Sequence, residues 1–459
     1  MLKSFLKISL LILCLPLLLN QSSIAQDFDP DSYKEISRII INSALSNNTG
    51  FERLTHFVDY YPHRLSGSEM LEQSIDWALE MMEADGFDHI EAQPVMVPHW
   101  VRGNEYAKLI LPYERDLPVL GFGNSIATPD TGITADVVVV NSFEDLAQKM
   151  DEIAGNIVLY NVPFTTYGET VQYRTRGAIF ASRVGAVASL VRSVTPFSMQ
   201  TLHTGNSSYQ EGVRPVPHAA VTVEDANFMQ RMYDRGETIR VKLYMEAETL
   251  PDKESRNVIA EIKGSEYPEQ IITIGGHIDS WDVGQGAMDD AGGCFVAWEA
   301  ARLIKNLGLA PKRTIRVVLW TNEENGLRGA RKYHEKAVEE GLEKYILAVE
   351  SDAGVFKPVG FGFSGSEEAL AILRKIGTLL EPIESGEVLR GGGGADISPL
   401  MRDGVPGMGL VTDRSKYFWY HHTNADTIDI IDREEFNMNV ATMALFAFIV
   451  ADMDLKLPR

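Results

Sequence analysis

Acids and imidazoles cluster at points where an α/β sheet would bring them together. His277 and Asp279 follow the apolar run 271–274, and Asp289 and Asp290 precede Ala291-Gly292-Gly293. Glu323 and Glu324 come soon after Val317-Val318-Leu319-Trp320. Asp352 closes Glu350-Ser351-Asp352, and His422 lies in Tyr420-His421-His422-Thr423. Imidazole and carboxylate together suit Zn²⁺, and with only two cysteines, Cys14 and Cys294, no thiolate set exists for a closed structural site. A pair of ions about 3.5–4 Å apart needs a bridging carboxylate plus a histidine and an acid for each ion. His277, Asp289, Glu324, Asp352 and His422 supply that inventory. A proton acceptor must also stand near a shared water. Adjacent Glu323 and Glu324 point in different directions, so one can ligate while the other acts as base. The pattern points to metal-assisted hydrolysis.

Such side chains converge only if strands deliver them. From residue 257 the sequence alternates: strands are expected at 258–262, 271–275, 314–320, 346–350 and 407–411, with helices at 292–306, 326–340 and 367–380. That alternation implies an α/β fold, a three-layer arrangement around a mostly parallel sheet. In such sheets ligands gather beyond the carboxyl ends of the strands, where the acids and His277 fall. Upstream, helices are expected at 32–46 and 69–83. Ser66 and Glu69 stand three apart, as in a capping box, which makes Ser66 the expected N-cap. Residues 94–111 carry strand-like stretches. The texture then changes between about 116 and 248. Strands at 135–140, 156–161 and 215–222, a helix running into a strand over 177–192, and a helix at 223–235 suggest a compact α/β insertion. The expected organisation is a leader at 1–25, a first part of the main domain at 26–115, the insertion at 116–248 and the metal-bearing part at 249–459.

The 459 residues exceed the roughly 150 typical of one domain, in keeping with an insertion. The net charge of −22 disfavours nucleic acid as a partner, since phosphate neutralisation needs clustered Lys and Arg. Lys3 and Lys7, the apolar run 8–19, and small residues Ser23 and Ala25 read as a cleavable leader with the cut after Ala25. The run is shorter than the about 20 residues needed to span a bilayer. A secreted or periplasmic protein with no membrane attachment after cleavage is expected. Cys14 leaves with the leader, and Cys294, in an apolar helix start, reads as a small core residue. The remaining histidines, His203 among them, read as structural or surface residues.

Gly276-His277-Ile278-Asp279-Ser280, Asp289-Asp290-Ala291-Gly292-Gly293, Asn322-Glu323-Glu324-Asn325-Gly326, Glu350-Ser351-Asp352 and His421-His422-Thr423-Asn424-Ala425-Asp426-Thr427 together resemble the M28 metallopeptidases. Arg64-Leu65-Ser66-Gly67-Ser68-Glu69 and the insertion resemble the carboxypeptidase Q branch of that family. The resemblance implies the zinc exopeptidase fold and two Zn²⁺ per chain. Asp289 would bridge the ions, with His277 and Asp352 on one and Glu324 and His422 on the other. Glu323 would be the catalytic base, and Asp279 would hold the His277 ring through a carboxylate–histidine hydrogen bond. The insertion resembles a protease-associated domain. A homodimer acting on dipeptides or short peptides with free ends is implied. An aminopeptidase of the same family, a single-zinc glutaminyl cyclase and a non-catalytic receptor-like protein are the alternatives. Several family aminopeptidases place a tyrosine before the second histidine ligand. Here His421 stands there, a candidate donor to the tetrahedral intermediate. The glycines at 391–394 read as a mobile loop over the cleft.

Overall fold

Two eight-stranded sheets organise the chain in the computed structural model, which describes residues 28–459. The expected leader at 1–25 and Cys14 lie outside the described residues. In the first sheet the order is His89–Val101, Glu248–Ile262, Arg313–Trp320, Tyr267–His277, Tyr345–Glu350, Gly407–Thr412, Pro358–Ser364 and Glu387–Arg390. The four strands from Arg313–Trp320 to Gly407–Thr412 run parallel, and antiparallel pairs flank them. A parallel centre is buried on both faces, so its strands are apolar without alternation. Arg313–Trp320 and Tyr345–Glu350 are buried at every position.

Helices cover both faces. Val258, Ile272, Ile274, Val317 and Leu347 point into a core shared with Gly292–Asn306 and Arg433–Asp452. Val318, Trp320 and Ala348 face the other way, onto Tyr333 and Ala337 of Arg328–Glu340. The 20-residue helix Arg433–Asp452 is buried almost all round from Phe436 to Ala451. Among the described residues no helix is long and apolar enough to cross a membrane.

The second sheet interrupts the first. His89–Val101 pairs antiparallel with Glu248–Ile262, with Val101 opposite Glu248, so residues 102–247 leave the first sheet and return to the same point. The second sheet begins with Glu105–Leu111, which pairs with Arg115–Leu117 and Arg240–Met245. The insertion therefore starts about ten residues before 116. Glu105 on the inward face and the exposed Tyr106 mask the alternation of Ala107 and Leu109, which are the buried positions. Leu65, Trp100, Leu120, Ala247, Trp281 and Val283 form a small apolar seam between the two units.

Two local expectations are corrected. Ser68, not Ser66, caps Glu69–Ala84, its hydroxyl accepting from Leu71 N at 3.1 Å. Ser66 is buried, and its hydroxyl accepts instead from Asn322 Nδ2 at 3.0 Å. The glycines at 391–394 follow the edge strand Glu387–Arg390 and lie against the first sheet, Gly392 beside Gly362 and Gly393 beside Gly409, rather than forming a loop free over the cleft. Gly391 N donates to Phe363 O at 2.7 Å, and a side chain on Gly394 would collide with Glu350.

Candidate metal centre

His277 lies opposite Trp320, and Gly275 lies opposite Glu350, so three parallel strands end level with one another. The chain leaving Trp320 carries Glu323 and Glu324, and the chain leaving Glu350 carries Asp352. His277 Nδ1 sits 2.9 Å from the Asp279 carbonyl. A carbonyl can only accept, so Nδ1 carries the proton and Nε2 is free to ligate. That Nε2 lies 3.3 Å from Asp289 Oδ1 and 3.6 Å from Asp352 Oδ1. His422 Nε2 lies 3.3 Å from the other oxygen, Asp289 Oδ2, and 3.1 Å from Glu324 Oε2. Asp289 thus offers one oxygen to each histidine. His421 stacks on His422 with ring centroids 3.5 Å apart, its Nε2 3.7 Å from Asp289 Oδ2.

Buried residues hold the loops. The Asp290 carboxylate accepts from His277 N at 3.0 Å and Gly293 N at 3.2 Å. A Cβ on Gly276 would sit 2.3 Å from Asp290 Oδ2, so only glycine admits that approach. Asp426 accepts from Met288 N at 2.7 Å and Asp289 N at 3.2 Å. Arg64, fully buried, donates to Tyr61 O, Ile278 O, Gln285 O and Gly286 O at 2.8–2.9 Å, tying the His277 loop to the Asp289 turn.

Asp279 does not hold the His277 ring through its carboxylate, as the resemblance implied. Its Oδ1 is 3.7 Å from His277 Nδ1, too far for a hydrogen bond. The carboxylate instead accepts from Glu323 N at 3.0 Å and Glu324 N at 3.3 Å, fixing the backbone of the glutamate pair. The ring is oriented by the Asp279 main chain.

The charges of the site are mutually dependent. Burial works against a charged His277, yet hydrogen bonds to Asp289 and Asp352 outweigh it and leave the ring well above its usual pKa. His422 is raised in the same way, burial being overcome by Glu324 and Asp289. Burial opposes ionisation of Asp289 too, but His277 and His422 hold it well below the carboxylate range. Burial, helped by Asp289, lifts Glu324 to about 7. Burial together with Asp352 and Glu324 raises Glu323 strongly. His421 stays neutral, because burial and the neighbouring His422 both push it down.

Metal ions fit this donor set. Asp289 Oδ2 and Glu324 Oε1 are buried and accept no hydrogen bond. Acceptors in that position call for a cation. Among the described residues, His277, Asp289 and Glu324 form one group whose ligand atoms lie within 4.8 Å of one another, and His277, Asp290 and Asp352 form another. Asp290 already accepts two backbone N–H groups, so Asp289 is the better bridge.

A cavity of about 360 Å³ opens on the cluster. Its wall includes Glu323, Asp352, Arg414, Tyr417 and His421 from the first unit, and Tyr167, Arg174 and Asn206 from the second. All eight expected site residues, His277, Asp279, Asp289, Glu323, Glu324, Asp352, His421 and His422, gather here. Arg64, Asp426 and the second unit's Arg174 and His203 were given no part in the site from the sequence. A solitary Arg or His carries no periodicity, and only Arg64 and Asp426 lie inside quoted motifs.

The family model described as peptidase family M28 matches residues 257–447, a span that holds all eight. Carboxypeptidase Q of Homo sapiens is 47% identical over 428 residues, covering 93% of this chain and 90% of that protein. The chain belongs to the M28 peptidases. Carboxypeptidase Q of Xenopus laevis is also 47% identical, over 93% of this chain and 92% of that one. The crystal structure of a peptidase M28 precursor from Shewanella amazonensis SB2B superposes with a TM-score of 0.88 at 34% identity, covering 94% of this chain and 99% of that one. Similarity of the family to this chain thus extends over both sheets, not only over the span of the family model.

Proposed function

We propose that the chain is a two-zinc exopeptidase that cleaves dipeptides or short peptides with free ends, as the carboxypeptidase Q relatives suggest. One observation carries the reading: Asp289 faces His277 with one oxygen and His422 with the other, each at 3.3 Å. His277, Asp352 and Asp289 would hold one ion, and His422, Glu324 and Asp289 the second. Bound zinc would supply Lewis acidity toward the scissile carbonyl and lower the pKa of a shared water toward about 7.

The remaining chemistry belongs to this chain's side chains. Glu323 has no ligand duty and faces the cavity, so its carboxylate takes the proton of the attacking water and returns it to the leaving amine. Asp279 keeps Glu323 in place through its backbone N–H. Neutral His421 donates a hydrogen bond to the oxygen that gains charge. Arg174 is 5% exposed, donates to Thr204 O and Tyr167 Oη, and keeps a buried Nε without a partner. With Arg414 it adds positive charge to the wall of the cavity that the acids also line, suited to the free carboxylate of a short peptide. The second unit, read as a protease-associated-like domain, thereby shapes the substrate side of the cleft. Export by the leader and pairing as a homodimer complete the reading.

The test is metal analysis combined with a dipeptide panel. Two zinc ions per chain are expected, with chelator-sensitive hydrolysis of free dipeptides and at least tenfold slower hydrolysis of their carboxamides. Equal rates on free and amidated substrates would favour the aminopeptidase reading. No hydrolysis at full metal occupancy would sink both.

A further inference from the structure

The two histidines facing Asp289 are oriented by different parts of the molecule. His277 is set by its own loop, through the carbonyl of Asp279 two residues on. His422 has no such local partner. Its Nδ1 lies 3.3 Å from the carbonyl of Thr204, in the second unit, 218 residues away. Thr204 N donates back to the His422 carbonyl at 3.0 Å. The neighbouring His203 directs its Nδ1 at the His421 carbonyl, 2.8 Å away. Because carbonyls only accept, both imidazoles carry their proton on Nδ1, which leaves His422 Nε2 with the lone pair that faces Glu324 and Asp289.

The clamp has something to hold. His422 has φ +60°, a left-handed conformation that residues with a side chain seldom adopt without outside support. The clamp is itself anchored. His203 and Thr204 are 1% and 0% exposed. The Thr204 hydroxyl donates to Gly121 O at 2.9 Å, Gly123 N donates to Gly205 O at 3.0 Å, and Arg174 donates to the Thr204 carbonyl at 3.1 Å. Residues 203–205 are thereby laid against the second sheet and reach across to the metal-facing loop.

The geometry points to His203 and Thr204 as positioning residues for one half of the metal centre: the second unit sets the orientation and tautomer of His422, and with them the affinity of the ion held by His422 and Glu324, while the His277–Asp352 half is complete without it. This rests on His422 being a zinc ligand. It gives the second unit a task apart from walling the cavity, and it makes the two ions unequal in their dependence on how the two units are joined.

The test uses the full mature chain, zinc as the probe, and chelator competition to resolve two dissociation constants. His203→Ala, which frees the His421 carbonyl but keeps the Thr204 carbonyl that faces the His422 ring, should weaken one zinc by up to about 10-fold, the low end for lost outer partners of a ligand, and leave the other within about twofold. His203→Asn, which can return an N–H near the position of Nδ1, should recover most of the loss. Thr204→Val, nearly the same shape but without the hydroxyl bond to Gly121, should weaken the same ion to a smaller degree. It also serves if His203→Ala fails to fold. His422→Ala identifies that ion by abolishing its binding. If His422→Ala removes an ion but His203→Ala and Thr204→Val leave both constants unchanged, or weaken both equally, the positioning role is overturned while the two-zinc reading stands. If His422→Ala leaves the stoichiometry at two, the ligand assignment fails and the inference goes with it.

Discussion

Asp279→Asn separates two ways in which a buried carboxylate can serve this centre. If the carboxylate oriented the His277 ring, its loss would weaken zinc binding. In the structure the ring is held by the Asp279 carbonyl at 2.9 Å, which the substitution leaves alone, and the carboxylate takes the N–H groups of Glu323 and Glu324 at 3.0 and 3.3 Å. An asparagine can keep one of these through its amide oxygen, but its NH₂ then faces the second N–H, donor against donor. Losing a hydrogen bond to a charged, buried acceptor costs about 1.5–3 kcal/mol. If that loss falls on the placement of the base in the transition state, kcat drops roughly 10- to 150-fold. Steady-state kinetics on a dipeptide, with zinc measured on the same sample, decide the matter. The expected result is a reduced kcat with both ions retained. Zinc affinity reduced tenfold or more, with kcat normal once the enzyme is reloaded, would refute the reasoning and restore the carboxylate–histidine arrangement.

Glu323→Gln should lower kcat by about 10²–10⁴-fold with zinc content unchanged, and a variant that loses zinc would show Glu323 to be a ligand instead. Gly276→Ala places a Cβ 2.3 Å from Asp290 Oδ2 and 2.8 Å from Cys294 N, and should cost about 1–3 kcal/mol in denaturant unfolding; an unchanged midpoint would mean that the Asp290 loop yields freely. In the chelated protein, His277 and His422 titrate above the unfolded value near 6.5, so their stabilisation is full below about pH 6.5 and is lost as the pH climbs through the folded values. Burial keeps Asp426 protonated up to about 7 and, together with Asp352, Glu350 up to about 8, and that contribution likewise fades as the pH rises. Thermal midpoints in chelator should therefore fall between about pH 5 and 8, and flatten with zinc, because bound cations favour the ionised acids. A midpoint that rises with pH in chelator contradicts this assignment.

The strands that build the centre were legible because parallel strands buried on both faces are largely apolar runs rich in β-branched residues, and the residues 271–274 and 317–320 could hardly be read otherwise. The acids that follow them stood out because carboxylates seldom end such runs without a task. The helix Arg433–Asp452 went unread for the converse reason: buried on all sides, it has no polar face and so no 3.6-residue period. Glu105–Leu111 was expected in the first part of the main domain, whereas it pairs with the second sheet, locally with Arg115–Leu117 and over a long range with Arg240–Met245, a partner that spacing does not reveal.

By itself the sequence determined the α/β fold class and marked the side chains that converge, through residue type and spacing along a few strands, and its motifs carried the resemblance to the M28 peptidases. Only the tertiary structure decided who orients whom. Asp279 serves the glutamates and not His277, Ser66 serves Asn322 and not a helix, and Thr204 holds a histidine 218 residues away. Hydrogen-bond partners are fixed by distances of a few tenths of an ångström between segments remote in the chain, and spacing along the sequence carries no such information.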